Sequence, residues 1–201
     1  MDWLLYEKKY LAEGKELICG VDEAGRGPLA GPVYAAAVIL PHGKVIEGVN
    51  DSKKLSPSKR EKLYDEICKS AISYAVSSVS ADKIDEMNIL RATHLAMTNA
   101  VESLTVKPDF ILVDGNILPK WGYAAEAVVK GDALSHSIAC ASILAKVSRD
   151  RFMIEKSKEY PLYGFEKHKG YGTKLHMEMI KKYKPCPLHR RTFLSKIINN
   201  V

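Results

Sequence analysis

Short apolar runs recur along the chain and predict the strands of a β-sheet. Several contain β-branched residues, and most are bounded by glycine, proline, asparagine or aspartate, as strands commonly are. The predicted strands are residues 17–21, 33–40, 44–49, 72–79, 110–113 and 124–129. The first three follow one another without an intervening helix, and we therefore expect them to form a meander.

The intervening segments show the spacing of amphipathic helices. The predicted helices are residues 1–13, 57–70, 81–104, 135–155 and 174–183. Ser56 and Pro57 supply a helix N-cap and first position, and Asn88 is expected to divide the third helix into two. Strands that alternate with helices predict an α/β domain, in which ligands bind at one edge of the sheet.

Length and composition are those of one ordinary globular domain. The 201 residues are 46% hydrophobic, which is enough for one well-buried core. We expect one domain of residues 1–201, with the sheet and most helices in about 1–157 and a basic helical part in about 158–201. No apolar run approaches the length of a membrane span, and residues 1–16 are too charged for a secretory signal, so we expect a cytoplasmic protein without membrane association.

Charge is unevenly distributed along the chain. The net charge is +6, yet residues 151–201 contain 12 Lys or Arg against 4 Asp or Glu, and residues 1–150 contain 18 against 20. A basic flank beside an acidic site suits a polyanion such as a nucleic acid held near metal ions. Solvated surface charge is the alternative explanation.

The cysteines are expected to be free thiols, because none forms a Cys-x-x-Cys pair and the chain shows no export signal. They are Cys19, Cys68, Cys140 and Cys186. Two spaced pairs, His136 with Cys140 and Cys186 with His189, allow a zinc site as an alternative. We favour packing, because Cys140 lies in a run of small residues that suits a buried helix.

Carboxylates follow the ends of three predicted strands. Asp22 and Glu23 come directly after the first strand, Asp114 after the fifth, and Asp132 shortly after the sixth. Side chains of adjacent strand residues point to opposite faces, so Asp22 and Glu23 are not expected to act as one bidentate pair; we expect one to lead and the other to support it. The sequence therefore predicts a group of acids at one edge of the sheet.

Four carboxylates in one place require a counter-charge, because like charges raise one another's pKa. Oxygen ligands without a neighbouring cluster of cysteine or histidine favour Mg²⁺ or Mn²⁺ over zinc. Two such ions about 3.5–4 Å apart could activate a water molecule and stabilise the leaving oxygen of a phosphodiester. The acids therefore point to metal-dependent hydrolysis of a nucleic acid.

Other interpretations of these residues are weaker. The acids and the glycine-rich turn after Glu23 could be no more than a polar hairpin. A glycosidase could use two carboxylates, but the basic C-terminal part would then have no purpose. The sequence has no Gly-x-Ser-x-Gly motif, no recognisable cysteine nucleophile, and no Gly-Lys-Ser/Thr ending that would make the turn a phosphate-binding loop.

Five short motifs occur in order over most of the chain. They are residues 21–28 (VDEAGRGP), 113–116 (VDGN), 130–132 (KGD), 141–150 (ASILAKVSRD) and 168–173 (HKGYGT). Together they resemble the ribonuclease HII family from about residue 17 to Phe193, and residues 189–193 (HRRTF) resemble its bacterial form. Each motif alone is of moderate specificity, but chance agreement of all five in order is implausible.

The resemblance implies a monomer with a ribonuclease H-like mixed sheet flanked by helices and a C-terminal helical segment. It implies that the catalytic, metal-binding carboxylates are Asp22, Glu23, Asp114 and Asp132. It also implies that Gly25, Arg26 and Gly27 surround the 2'-OH and phosphates of a ribonucleotide, and that Tyr171 packs on the sugar of the following deoxynucleotide.

The implied activity is hydrolysis of the RNA strand of RNA/DNA hybrids and incision 5' of ribonucleotides embedded in duplex DNA. It would leave 3'-hydroxyl and 5'-phosphate ends by two-metal-ion catalysis. Ser142, Lys146 and Arg149 also match the family, but on a helix they are expected to serve packing and salt bridges.

Two rival functions stay open. An integrase- or transposase-like nuclease would also gather carboxylates around two metals, but such chains usually carry extra DNA-binding domains for which this length leaves no room. A non-catalytic hybrid-binding module would have no use for four acids that repel a polyanion.

Overall fold

The computed structural model describes residues 2–50 and 52–195, which form a five-stranded sheet with helices on both faces. The strands are β1 (Ile18–Ala24), β2 (Val33–Ile39), β3 (Ser73–Val79), β4 (Phe110–Asp114) and β5 (Ala125–Val128). The α-helices of these residues are α1 (Leu5–Ala12), α2 (Pro57–Ser70), α3 (Ala81–Met87), α4 (Ile89–Glu102), α5 (His136–Glu159), α6 (Phe165–His168) and α7 (Lys174–Tyr183). The predicted α/β class is confirmed.

The sheet is mixed, and its strand order is β3-β2-β1-β4-β5. β2 is antiparallel to β1 and β3, whereas β4 is parallel to β1 and β5. The three parallel strands therefore have their carboxyl ends at the same edge. Val21 pairs with Val113, so the next residues, Asp22 and Asp114, follow side by side on neighbouring strands.

Both faces of the sheet are buried, which explains the near-continuous apolar runs in the sequence. Along β2, Ala35 and Ala37 pack toward α3 and α4, whereas Ala36 and Val38 pack toward α2 and α5. Among the described helices, none is both long and apolar enough to cross a membrane.

Asn88 divides the third predicted helix, as expected. Its φ of 73° turns the chain between α3 and α4, and its N–H donates to the carbonyl oxygen of Ile84. Its side-chain oxygen accepts the N–H of Arg91 at 3.1 Å. One residue therefore ends α3 and caps α4.

The predicted strand at residues 44–49 is wrong, and with it the three-stranded meander. β3 pairs with β2 on the side away from β1, so residues 44–49 cannot continue a meander beside β2. This segment is instead a loop in which Gly48 has a φ of 84°. Ile46 and Val49 anchor the loop in the core beneath α2 and α5, which accounts for the strand-like spacing of apolar residues.

Gly20 allows α5 to approach the centre of the sheet. A β-carbon at Gly20 would lie 2.1 Å from the carbonyl carbon of Ser137 and 2.5 Å from the nitrogen of Ile138. The backbone of α5 therefore packs directly on β1. This contact sets the position of α5 relative to Asp22, two residues further along the strand.

We expect Gly20→Ala to lower the free energy of unfolding by about 1–3 kcal/mol or more, because the new methyl group meets backbone atoms that cannot rotate away. Gly122→Ala is the matched control, since a β-carbon at Gly122 meets no heavy atom within 4 Å. Urea denaturation of both variants measures the difference. Equal stabilities would contradict the close packing of α5 on β1.

Candidate active site

Asp22 and Glu23 lie within β1 rather than beyond it, which corrects the predicted strand end. Pairing with β2 continues through Asp22, Glu23 and Ala24, whereas pairing with β4 ends at Val21. The two carboxylates are therefore held by a paired strand at the point where the parallel neighbour stops.

The two side chains lie on opposite faces of the sheet. Asp22 is buried, and accepts hydrogen bonds from Ser142 of α5 and from the N–H of Glu23, the latter at 2.6 Å. Glu23 instead lines a cleft with Thr93 and Met97 of α4. The two neighbours therefore do not form one bidentate pair.

Asp114 belongs to the same group of charges. Burial raises the pKa of Asp22 well above its usual value, and the nearby carboxylates of Glu23 and Asp114 raise it further. These three acids are therefore close enough to repel one another.

Asp132 reaches the same edge from β5. It is buried in a short 3₁₀ turn, Gly131–Ala133. The N–H of Gly131 donates to Oδ1 of Asp114 at 2.6 Å, which attaches this turn to the end of β4. The structure thus brings the four predicted carboxylates to one edge of the sheet.

An open cleft with a volume of about 180 Å³ lies beside the acids on the α4 side. Its walls include Glu23, Asp114, Arg26 and His94. Nη1 of Arg26 is 3.7 Å from Oε1 of Glu23, and half of the Arg26 side chain is exposed. Burial and the charge of Arg26 lower the pKa of His94. The cleft therefore combines anionic and cationic groups.

Within residues 2–50 and 52–195, no three His, Cys, Asp or Glu side chains form a ready-made metal site. The donors at the sheet edge are nevertheless carboxylate oxygens, which suit Mg²⁺ or Mn²⁺. Burial and the neighbouring carboxylates both raise the pKa of Asp22, and a divalent cation would relieve the cost of keeping these acids charged.

The alternative zinc pairs do not combine. Nε2 of His136 accepts the N–H of Ile46 at 2.9 Å, and Cys140 packs in the core beneath α2. Cys186 and His189 instead contact each other in the C-terminal part, with the sulfur 3.2 Å from Nδ1. Packing and hydrogen bonding account for all four residues.

The loop of residues 25–31, which follows β1, is held by a buried arginine. Arg190 donates from Nη2 to the carbonyl oxygen of Gly25 at 2.6 Å, from Nη1 to that of Arg26 at 2.8 Å, and from Nε to that of Gly31 at 2.9 Å. One guanidinium group thus fixes both ends of this glycine-rich loop.

A second buried arginine supports the loop from α5. Arg149 donates to the carbonyl oxygens of Pro32 and Ala30, each at 3.1 Å. Gly25 has a φ of 98°, and a β-carbon there would lie 2.1 Å from Nε of Arg149, so only glycine fits. Around Gly27, in contrast, a β-carbon would meet nothing within 4 Å.

Tyr171 lies beside the glycine-rich loop. The carbonyl oxygen of the preceding Gly170 accepts the N–H of Leu29 at 2.8 Å. The Tyr171 ring is 5.7 Å from the guanidinium carbon of Arg149 and 5.9 Å from Nζ of Lys146. The residue is 43% exposed, so its ring is accessible next to the loop.

Comparison with known proteins agrees with this geometry. Residues 19–196 match the family model described as Ribonuclease HII. The chain belongs to the ribonuclease HII family. Ribonuclease HII of Caldicellulosiruptor bescii is 60% identical over 193 residues, which cover 96% of this chain and 94% of that protein. The chain is therefore a ribonuclease H enzyme, of a family that acts on nucleic acid and depends on divalent metal ions.

Solved structures share the fold. Ribonuclease H2 from Pyrococcus horikoshii OT3 has a TM-score of 0.76 at 32% identity, over 92% of this chain and 98% of that one. Bst-RNase HIII in complex with Mn²⁺ has a TM-score of 0.71 at 17% identity, over 92% of this chain and 70% of that one. At this identity the likeness is one of fold alone. The predicted ribonuclease H-like sheet is confirmed.

Sequence reasoning expected Ser142, Lys146 and Arg149 of α5 to serve packing and salt bridges, and it assigned no role to Arg190. Ser142 contacts Asp22, Lys146 forms a salt bridge within α5, and Arg149 supports the glycine-rich loop. The spacing of these three residues places them on one helical face, which was the available signal of a shared role. Arg190 lies in the HRRTF motif, but a basic segment rarely indicates a fully buried guanidinium.

Asp22→Asn should stabilise the protein when metal ions are removed. The folded-state pKa of Asp22 is raised above 3.8, so stability is lost as the pH rises through that pKa, and an amide avoids this loss. At neutral pH with chelator, we expect the free energy of unfolding to rise by about 0.5–2 kcal/mol in urea denaturation.

The control for this substitution is Asp65→Asn on the exposed side of α2, which should change stability by less than about 0.5 kcal/mol. Added Mg²⁺ should stabilise the wild type more than Asp22→Asn. A metal-free Asp22→Asn variant less stable than the wild type would contradict the repulsion.

Proposed function

We propose that this enzyme cuts the RNA strand of hybrids, and duplex DNA on the 5' side of an embedded ribonucleotide, leaving 3'-hydroxyl and 5'-phosphate ends. The proposal is carried by one observation: carboxylates from three strands meet at one sheet edge, and the glycine-rich loop that follows the first strand adjoins an exposed tyrosine. A hydrolytic centre would then adjoin a surface that senses ribose.

Two Mg²⁺ or Mn²⁺ ions would be held chiefly by Asp22 and Asp114, with Glu23 and Asp132 in support. The residues fit such ions, because the donors are hard oxygens and burial disfavours the charged form of Asp22 without a cation. When bound, the ions would supply counter-charge to the phosphodiester and to the attacking water.

The glycine-rich loop would recognise the ribonucleotide. Only a 2'-OH separates RNA from DNA at a given position, and glycine lets the backbone approach it closely. Gly25, Arg26 and Gly27 would surround this hydroxyl and the adjacent phosphates. Arg190 already occupies the carbonyl oxygens of Gly25 and Arg26, so the loop is preorganised before substrate arrives.

Tyr171 would detect the junction from RNA to DNA. Its exposed ring would pack on the sugar of the deoxynucleotide that follows the ribonucleotide. The cationic groups of Lys146 and Arg149, each within 6 Å of the ring, would favour the adjacent phosphates. The excess of lysine and arginine in residues 151–201 would extend this basic surface.

Cleavage assays with duplex DNA containing one ribonucleotide, all-DNA duplex and RNA/DNA hybrid test the proposal. With Mg²⁺, the wild type should cut the first on the 5' side of the ribonucleotide, cut the RNA strand of the hybrid, and leave all-DNA duplex intact. Asp114→Asn should lower kcat at least about 100-fold, because even outer partners of metal ligands contribute 10–100-fold.

Chelator should abolish cleavage, and Asp65→Asn should retain normal turnover. Cutting of the all-DNA duplex would refute recognition of ribose while keeping metal-dependent hydrolysis. Near-normal turnover of Asp114→Asn would remove this carboxylate from the centre.

Duplex binding should weaken steeply with salt. Using Asp114→Asn to prevent cleavage, we expect Kd to rise at least about tenfold from 50 to 200 mM salt, as release of counterions from two phosphates would give. Adding Lys167→Gln should reduce the slope of log Kd against log salt by about one if Lys167 contacts a phosphate.

Lys107→Gln is the matched control, because Lys107 is an exposed lysine before β4, at the sheet edge opposite the acids. A salt-independent Kd, or equal effects of the two lysine substitutions, would exclude the C-terminal part from the substrate surface.

A further inference from the structure

Three buried histidines form a connected row in the C-terminal part of the chain. They are His168 of α6, His176 of α7 and His189. The rings of His168 and His176 stack with centroids 4.4 Å apart, and Nε2 of His176 lies 3.1 Å from Nε2 of His189. Burial lowers the pKa of all three, that of His176 and His189 to about 4, so the rings are neutral at neutral pH.

Hydrogen-bond partners determine which nitrogen of His176 carries the proton. Nδ1 lies 2.9 Å from the carbonyl oxygen of Tyr171, which can only accept, so Nδ1 is protonated. Nε2 of a neutral ring is then an acceptor. The facing Nε2 of His189 must therefore donate to it.

The same reasoning determines the proton of His189. Because its Nε2 donates, its Nδ1 accepts, and the N–H of Cys186 lies 3.0 Å away with the thiol at 3.2 Å. The carbonyl oxygen of Cys186, 3.3 Å from Nδ1, already accepts the N–H of His189 at 3.0 Å. One order of donors therefore satisfies the row, from Cys186 through His189 and His176 to Tyr171.

The row ends on the backbone of the exposed tyrosine. The Tyr171 carbonyl oxygen also accepts the N–H of Thr173 at 2.8 Å, and the N–H of Tyr171 donates to the backbone carbonyl oxygen of His168 at 2.9 Å. At the other end, His189 forms a β-bridge with Ala30 of the glycine-rich loop. The histidines thus connect Tyr171 with the loop beside it.

We propose that His176 and His189 are positioning residues for Tyr171. His176 holds the Tyr171 carbonyl through Nδ1–H, and His189 keeps His176 in the tautomer that can do so. Both act through Tyr171 to fix its ring relative to the glycine-rich loop. This inference rests on the proposed function, which assigns Tyr171 to the sugar of the substrate.

The proton positions can be measured without substrate. Ring-nitrogen chemical shifts of the ¹⁵N-labelled wild type at neutral pH should show His176 protonated at Nδ1 and His189 protonated at Nε2. The opposite tautomer of His176, or a charged ring, would overturn the proposal.

Asn and Gln substitutions of His176 distinguish the roles of its two ring nitrogens. The Asn amide occupies the place of Nδ1 and can still donate to Tyr171, whereas the Gln amide reaches the place of Nε2 and leaves the Tyr171 carbonyl without this donor. For duplex DNA with one ribonucleotide, His176→Gln should raise KM about 3- to 10-fold, the factor for one hydrogen bond. We expect kcat of both variants, and KM of His176→Asn, to stay within about twofold of wild type.

A Tyr171→Ala background shows whether the effect passes through Tyr171. There, His176→Gln should raise KM no further. Equal KM values for the Asn and Gln variants, or an undiminished effect in the Ala background, would indicate a purely structural role and overturn the proposal. Absence of cleavage by the wild type would instead contradict the proposed function. The ring-nitrogen chemical shifts would then still test the order of donors among Cys186, His189, His176 and Tyr171.

Discussion

The parallel pairing of β1 with β4 is the interaction on which the site depends. It sets Asp22 beside Asp114, although the two are far apart in sequence. β2 supports β1 beyond the end of β4, so Glu23 also stays in a paired strand. Burial of apolar side chains on both faces of the sheet holds these repelling carboxylates together. Their repulsion lowers the stability of the metal-free protein, and the same repulsion favours binding of a cation.

The glycine-rich loop depends on a different kind of support. Its carbonyl oxygens are satisfied by Arg149 and Arg190 rather than by a strand or helix. Among the described residues, neither arginine forms a salt bridge. Their charges, buried against this loop, therefore add a positive field to the place where we propose that phosphates bind.

Much of this could be predicted from the sequence, because the relevant signals are local. Each acid follows an apolar run, and the glycines after Glu23 indicate a turn. The fold class followed from the alternation of strands and helices, and the family from the resemblance of five motifs. The prediction of a strand at residues 44–49 is wrong because apolar spacing does not show which segment pairs with β2. β3 occupies that position.

The supporting residues could not be predicted, because their role arises only in the folded chain. Arg190 is buried by carbonyl groups of a loop near the other end of the sequence. The tautomers of His176 and His189 likewise depend on partners from Tyr171 and Cys186. His189 and Arg190 lie in the motif HRRTF, but a motif does not show that a side chain is buried or which groups it contacts.

The central claim is that divalent ions bind at the sheet edge where the four acids meet. Titration of Mn²⁺ into ¹⁵N-labelled protein tests it directly, because the paramagnetic ion broadens the signals of nearby amides. We predict that the earliest losses occur at residues 22–24, 114–115 and 131–132, while Cys186 to His189 and the exposed side of α2 keep their signals. Broadening that centres elsewhere, or spreads evenly over the acidic surface, would contradict the account.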